Sequence, residues 1–331
     1  MLQKIVARLS LRLPKPDAPV RNAQSLASEK KQATIQKEAT TENKPKSNVK
    51  QKPNKSAAEK NPSVESMHKR VWPKQYRDTL FGIHPVEMCL NERKRKMHKI
   101  FCSKIKEDEV VNENLARILR KAQAQNIPVR HVHPFQMNVM TNRAVHQGIA
   151  LQASPLNPIS WSNAMEAFGR SDDSGQLCIY LDRITDPMNM GSILRTAVFL
   201  GINGIFVPTS NSCRISPVVA KASAGASECA PLYSVEDPPK FLTFLQRLGW
   251  DIVGSDEGCV PYTDCKVTPR NRLIVLGNES HGVNEDLVSF LTTTVSIPGF
   301  NQQISSLNVS VATGILLSHF AKTKQQFSGS K

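Results

Sequence analysis

The chain is most informative at first for what it lacks. Its seven cysteines are scattered without a Cys-x-x-Cys pair, and the nearest two, Cys259 and Cys265, lack metal-ligand spacing. That usage fits a reducing compartment and argues against a disulfide framework or a zinc cluster, so no metal is expected. No run approaches the roughly 18 apolar residues of a membrane span. No strand is followed by Gly-x-Gly-x-x-Gly, and no Gly-x4-Gly-Lys-Ser/Thr loop occurs. Dehydrogenases, Rossmann-type methyltransferases and P-loop NTPases are therefore disfavoured. No internal repeat is present.

Acidic residues are scarce near the N-terminus. Residues 1–75 hold 17 Lys/Arg against 6 Asp/Glu, a net of +11 out of +15 for the whole chain. The remainder is close to neutral, so the high pI says little about folded domains. Residues 14–75 are rich in Lys, Asn, Gln, Ser, Ala and Pro and nearly free of aromatics; such a segment cannot bury a core and is expected to be a disordered basic linker. Residues 1–13 contain no acid, and Lys4, Arg8 and Arg12 share one helical face between apolar residues, the pattern of a mitochondrial presequence. A basic nuclear or nucleolar tail is the alternative. The length beyond residue 75 suits two modest domains.

What is there is concentrated in three segments. From Ser296 to Gly314 a buried strand breaks at Pro298–Gly299, then Ser305, Ser306, Asn308 and Ser310 crowd the mouth of a helix. Helix-terminal N–H groups lack intrahelical partners and suit an oxygen-rich ligand, although Ser and Asn there also serve as plain caps. From Leu177 to Ala197 a buried strand runs into an Asp186–Pro187 turn and a helix opening near Gly191, with Asn189 and Arg195 across that opening. From Leu273 to Leu287 another buried strand feeds a Gly277–Gly282 loop containing Glu279 and His281. Periodicity places strands at Leu177–Ile184, Gly204–Val207, Asp251–Ser255, Leu273–Leu276 and Thr294–Ile297. Helices are predicted at Ser192–Leu200, Val218–Ala224, Pro239–Leu248, Asn284–Leu291 and Val309–Ala321. Alternation of this kind predicts a parallel α/β sheet.

Together the three segments resemble the SpoU family of RNA ribose 2′-O-methyltransferases, with its Pro-x-Asn-x-Gly turn, Gly-x-Glu-x-x-Gly loop and Ile-Pro…Ser-Leu-Asn-Val-Ser stretch in order. The resemblance implies a trefoil-knotted (TrmH-like) α/β methyltransferase domain at 175–323, a topology that periodicity cannot reveal. It implies S-adenosylmethionine as cofactor, held by backbone groups of Gly277, Ile297 and Leu307, and a homodimer through the knotted domain. Asn189, Glu279, Ser306 and Asn308 are carried over as site residues beside Arg195. Turn shaping, loop bonding or capping also accounts for these four. A ribose hydroxyl attacking a sulfonium methyl has to share its proton while held in line. The resemblance gives that step to Arg195 acting with the substrate phosphate. A guanidinium stays protonated, so its literal work is to pin the phosphate bidentately and polarise the hydroxyl.

Upstream, Leu80–Leu90 reads as a strand entering a helix, followed by a strand at Lys99–Cys102, a helix at Asn114–Gln125 and a strand at Pro128–Val132. Ala144–Ala153 closes the unit. Phe81–Val86 and Ala144–Ile149 resemble the ribosomal-protein-L30e-like α/β substrate-binding domain, here 78–155, that precedes the knotted domain in the branch methylating a guanosine of large-subunit rRNA. His84 and His146 are read as settling loops. The basic run Glu92–Lys99 is read as a solvated face or a phosphate contact. The expectation is a mitochondrial (matrix) rRNA guanosine 2′-O-methyltransferase with ribosomal RNA as partner and no membrane. A tRNA 2′-O-methyltransferase, or a catalytically silent RNA-binding assembly factor on the same scaffold, is the alternative.

Overall fold

A computed structural model describes residues 77–103, 112–169, 175–265, 270–278, 281–301, 303 and 306–328, without the side chains of 257, 258 and 323–328. The expected presequence and linker, residues 1–75, and Glu279 and Ser305 lie outside the described residues. The first sheet has the order β1-β4-β2-β3, built from β1 (Asp78–Phe81), β2 (Met97–Ser103), β3 (Val129–Val132) and β4 (Ile149–Ala153). β4 runs antiparallel to both neighbours, and β2 pairs with β3 in parallel. Three helices accompany it: α1 (Ile83–Glu92), α2 (Glu113–Ala124) and α3 (Pro134–Met140). α2 buries Leu115, Ile118 and Ala122, the three- and four-residue spacing that places one stripe on the core. α3 was not expected; His133 caps it and Pro134 opens it. His146 settles the loop before β4, accepting from the Gly148 N–H at 3.0 Å and pairing with Asn138 at 3.1 Å.

The second sheet holds seven strands in the order β11-β9-β10-β6-β7-β8-β5. They are β5 (Ile159–Ser160), β6 (Leu177–Leu181), β7 (Gly204–Pro208), β8 (Leu232–Val235), β9 (Asp251–Pro261), β10 (Arg272–Leu276) and β11 (Thr293–Ser296). Every pairing in it is parallel. The covering helices are α4 (Met165–Gly169), α5 (Pro187–Phe199), α6 (Pro217–Ala222), α7 (Ala226–Cys229), α8 (Pro238–Arg247), α9 (Glu285–Val288) and α10 (Val309–Ser328). Period-two alternation sorts the strand residues. Ile179, Leu181, Ile205, Ile274 and Leu276 face α5 and α10, whereas Tyr180, Phe206, Leu273 and Val275 face Phe241, Leu245, Trp161 and Trp250. β5, β8 and α7 were not among the predicted elements, and β9 runs on past Ser255.

Four described helices open in one way: His133, Asp186, Ser216 and Asp237 cap, and a proline follows at the first helical position. Asp186 accepts from the N–H groups of Met188 at 3.1 Å and Asn189 at 3.3 Å. α5 therefore begins at Pro187 rather than near Gly191, and Asn189 belongs to its first turn. Gly191 then lies inside the helix, where α6 comes so close that a Cβ would stand 2.4 Å from the Ala222 Cβ and 2.9 Å from the Ser223 nitrogen. Gly191→Ala gains about 1 kcal/mol of helix propensity but collides with backbone that has nowhere to move. A net loss of about 1–3 kcal/mol is expected, read as a lower urea midpoint at unchanged slope; a stabilised variant would show that the two helices can separate.

Candidate active-site loops

Because the sheet is parallel, the carboxyl ends of its strands share one edge. The chain order reverses between β6 and β10, which are neighbours there, and such a reversal opens a crevice beyond the strand ends. The three polar segments leave this edge after β6, β10 and β11. β6 and β10 stay joined beyond their ends, since the Asp182 N–H donates to the Leu276 carbonyl at 2.8 Å.

The loops after β6 and β10 are clamped together. Buried Asp182 accepts through one carboxylate oxygen from the Asn284 N–H at 2.8 Å and from Arg183 Nε at 3.2 Å. Arg183, in the left-handed region at φ 55°, donates through Nη2 to the Gly282 carbonyl at 3.3 Å, and its own carbonyl accepts from Asn278 Nδ2 at 3.1 Å. Asn278 and Gly282 exchange two backbone bonds of 2.9 Å. Gly277 is held so tightly that a Cβ would lie 2.1 Å from the Gly282 carbonyl carbon. His281 is exposed and pairs with Asn278 at 3.3 Å. Burial first and the Asp182 charge second push the Tyr180 phenol upward, so the hydroxyl behind the clamp stays neutral.

The third segment joins through amides. Asn308 caps α10, accepting from the Ser310 N–H at 2.9 Å and the Ser310 hydroxyl at 2.6 Å. Its Nδ2 donates to Asn189 Oδ1 at 3.0 Å, across 119 residues of chain. Ser306 and Leu307 are exposed just ahead of it, and Ile297 is half-buried against the core beyond β11.

Of the expected residues, the structure brings Asn189 and Asn308 into contact, places Gly277 in the clamped loop, and puts Ile297 and Leu307 at the two ends of the third segment. Arg195 is exposed, about 240° around the α5 axis from Asn189 at the helical 100° per residue. It has no ion pair with any described residue. Sequence reasoning missed Asp182, Arg183, Asn278 and Asn284. The available signal was an acid directly after a fully apolar strand, at the end where ligands of parallel sheets sit.

A parallel α/β sheet whose polar loops converge at one reversal point defines an enzyme-type scaffold with a small-ligand crevice. The SpoU rRNA Methylase family model matches residues 176–318, and a model for RNA 2′-O ribose methyltransferase substrate binding matches residues 79–159. Over 265 residues the chain is 34% identical to rRNA methyltransferase 1, mitochondrial, of Homo sapiens, covering 76% of this chain and 74% of that protein. It is 32% identical over 242 residues to the 23S rRNA (guanosine-2′-O-)-methyltransferase RlmB of Shewanella oneidensis, covering 72% and 95%. In fold it resembles the SpoU methyltransferase AviRb from Streptomyces viridochromogenes, solved in complex with AdoMet, with a TM-score of 0.61 at 19% identity over 81% of this chain and all of that one. The chain belongs to the SpoU rRNA methylase family.

The cap on α10 separates two duties of Asn308. Asn308→Ala is expected to cost about 1 kcal/mol in thermal or urea unfolding. Asn308→Asp keeps the cap acceptor and recovers most of that loss while removing the donor to Asn189. Equal stability of the two variants would mean the cap contributes nothing.

Proposed function

We propose that this chain transfers a methyl group from S-adenosylmethionine to a ribose 2′-hydroxyl of RNA, its target a guanosine of mitochondrial large-subunit rRNA. The observation that carries this reading is the convergence of the three polar loops, through Asp182–Asn284 and Asn189–Asn308, in a chain resembling named rRNA methyltransferases over both of its sheets. The residues fit the cofactor. Leu307 is an aliphatic side chain 47% exposed, half-buried Ile297 supplies a second apolar surface, and Gly277 admits no side chain. A flat apolar ring would cover the two aliphatic residues while backbone groups of all three held its polar rim. When bound, S-adenosylmethionine supplies the electrophilic methyl.

The clamp ties Asn278 and Gly282 to each other and to Arg183, so these residues need less ordering on binding. Asn189 and Asn308 fix the start of α5 against the start of α10. Arg195, exposed and without an ion pair to any described residue, is suited to pin a substrate phosphate and polarise the hydroxyl beside it. Ser306, exposed at the same loop, is a further hydroxyl for the substrate side, and Glu279 stays with it in this proposal. Residues 78–155 would serve as the RNA-recognition unit and 175–323 as the methyltransferase domain. α10 packs on α5 and β6 near the sheet's centre although β11 before it is an edge strand. That return supports the knotted path the family implies. Mitochondrial localisation rests on the basic N-terminal pattern and on relatives named as mitochondrial.

The test is a map of ribose methylation by resistance to alkaline cleavage, with and without the protein. Loss of one mitochondrial large-subunit guanosine mark is the expected result; loss of a tRNA mark, or of none, rejects the assigned target. In the purified enzyme Arg195→Ala should abolish transfer while cofactor affinity, by calorimetry, stays within about twofold; parallel loss of both would make Arg195 structural.

We also propose a homodimer. Met188, Arg195 and Phe199 share one face of α5, where Met188 is 56% and Phe199 86% exposed, and Val311 on the neighbouring α10 is 50% exposed. Large apolar side chains grouped on two packed helices mark an interface, and a second copy there would seat Arg195 at the boundary. Wild type should sediment as a dimer and Phe199→Asp as a monomer; a wild-type monomer at micromolar concentration sinks this assignment.

A further inference from the structure

The basic run Glu92–Lys99 does not behave as one surface. Arg93, Lys94 and Lys96 are exposed, but Arg95 between them is fully buried, and its partners come from the first sheet and from α7 beside the second. Arg95 donates to both carboxylate oxygens of Glu228, from Nε at 2.9 and 3.2 Å and from Nη2 at 2.8 Å. Nη1 donates to Asp78 at 3.0 Å and to the Ser154 carbonyl at 3.1 Å. Glu228 is on α7, beside the methyltransferase sheet, whereas Asp78 and Ser154 belong to β1 and the end of β4. Arg214, from the loop before α6, closes the group on the other oxygen of Asp78. Two carboxylates and two guanidiniums make a neutral cluster, its first three members shielded from water.

The rest of the seam follows the same line. Lys94 donates to the Ala230 carbonyl at 3.3 Å. At the other end of α1, Gln147 Oε1 accepts from the Ile83 N–H at 3.2 Å and from Lys221 of α6 at 3.0 Å. Gly225, at φ 86°, lets α7 approach until a Cβ would lie 2.9 Å from the His84 carbonyl. Ala220 of α6 is buried within the hydrophobic core of the first sheet.

We propose that Arg95, through Glu228 and Asp78, is a positioning residue that fixes the RNA-recognition unit at one angle to the methyltransferase crevice and so selects which ribose is methylated. This rests on the function proposed above. Stability alone does not call for such a cluster, since apolar residues of similar volume hold a seam at least as well as buried ions do. What a bidentate guanidinium–carboxylate pair adds is direction, because rotation of either unit breaks several bonds at once. An RNA element gripped by the first unit then stands at a set distance from the loops beyond β6 and β10.

The decisive variant is Glu228→Gln, which keeps the shape and removes the charge. Hydrogen exchange should rise along the seam, residues 83–95 and 214–230, with both sheets still protected. The KM for a structured rRNA fragment should rise about tenfold with cofactor affinity unchanged, and methyl marks should spread to neighbouring riboses. A merely structural role lowers total activity with the folded fraction and leaves the site of methylation unmoved; that result, or a wild-type KM with a single mark, overturns the proposal. If Glu228→Gln does not fold, the pair Gln147→Asn and Lys221→Ala, which cuts the half-exposed end of the same seam, is judged by the same readouts. Should wild type methylate no RNA, the function proposed above falls. The exchange pattern then decides the latch: a rise confined to the seam supports it, and no rise overturns it.

Discussion

Everything at the crevice depends on β6 and β10 lying side by side in parallel, although long stretches of chain separate them. The Asp182 carboxylate is where that adjacency becomes a site. It is buried at the strand ends, bonded to the Asn284 backbone and to Arg183, and through Arg183 it reaches Gly282 and Asn278. A buried carboxylate without such partners would carry a large desolvation penalty, so its presence obliges the two loops to keep their positions. Gly277 follows from the same closeness, because the clamped loop returns onto it within the space of a side chain.

The sequence carried the centre of the fold better than its edges. β6, β7 and β10 are short apolar runs between turn signals; β7 and β10 appear where periodicity puts them, and β6 starts there but stops at Leu181 rather than Ile184. β5, only two residues long, has no period to detect. β8 is four residues long with only Leu232 and Val235 fully buried, and β9 continues into an irregular pairing with β11, where the register jumps between Thr294 and Val295; such a bulge answers to its partner strand and leaves no local trace. The start of α5 was legible but misread. Asp186–Pro187 reads as a turn, but a capping side chain followed by proline is also a helix opening, and four described helices use it.

The site shows the same division. Motif residues gave Asn189, Gly277 and Asn308 because they fall in recognisable spacings. Of the clamp only Asp182 left a local signal, an acid directly after an apolar strand; the bonds to Asn278, Gly282 and Asn284 are made by a distant segment. Arg95 is the sharpest case. Its neighbours in sequence are Lys94 and Lys96, and nothing local separates an inward guanidinium from two outward ammonium groups. Its partners Asp78, Ser154 and Glu228, the last 133 residues later, decide it. Charge runs in a sequence report composition, and burial of one member is a tertiary fact.

The described polar residues of the three segments thus divide into those bonded across the loops and those with no side-chain hydrogen bond to another described residue. Asp182, Asn278 and Asn308 hold loops and have their bonds committed to them. Arg195 and Ser306 face outward. A preorganised site needs both kinds, because donors aimed at a reacting group help only if they need not be rearranged when it arrives. Side chains holding the loops can be exchanged only for others making the same bonds, while the outward ones answer to whatever binds. The exposed apolar face that Arg195 shares with Met188 and Phe199 then acquires a reason. A guanidinium on open helix surface is strongly hydrated and poorly directed, whereas the same group beside a covered apolar surface sits in lower dielectric and binds a phosphate more strongly. On that argument the proposed dimer and the proposed chemistry are one requirement, because the surface that would lower the dielectric around Arg195 is the one a second copy would cover.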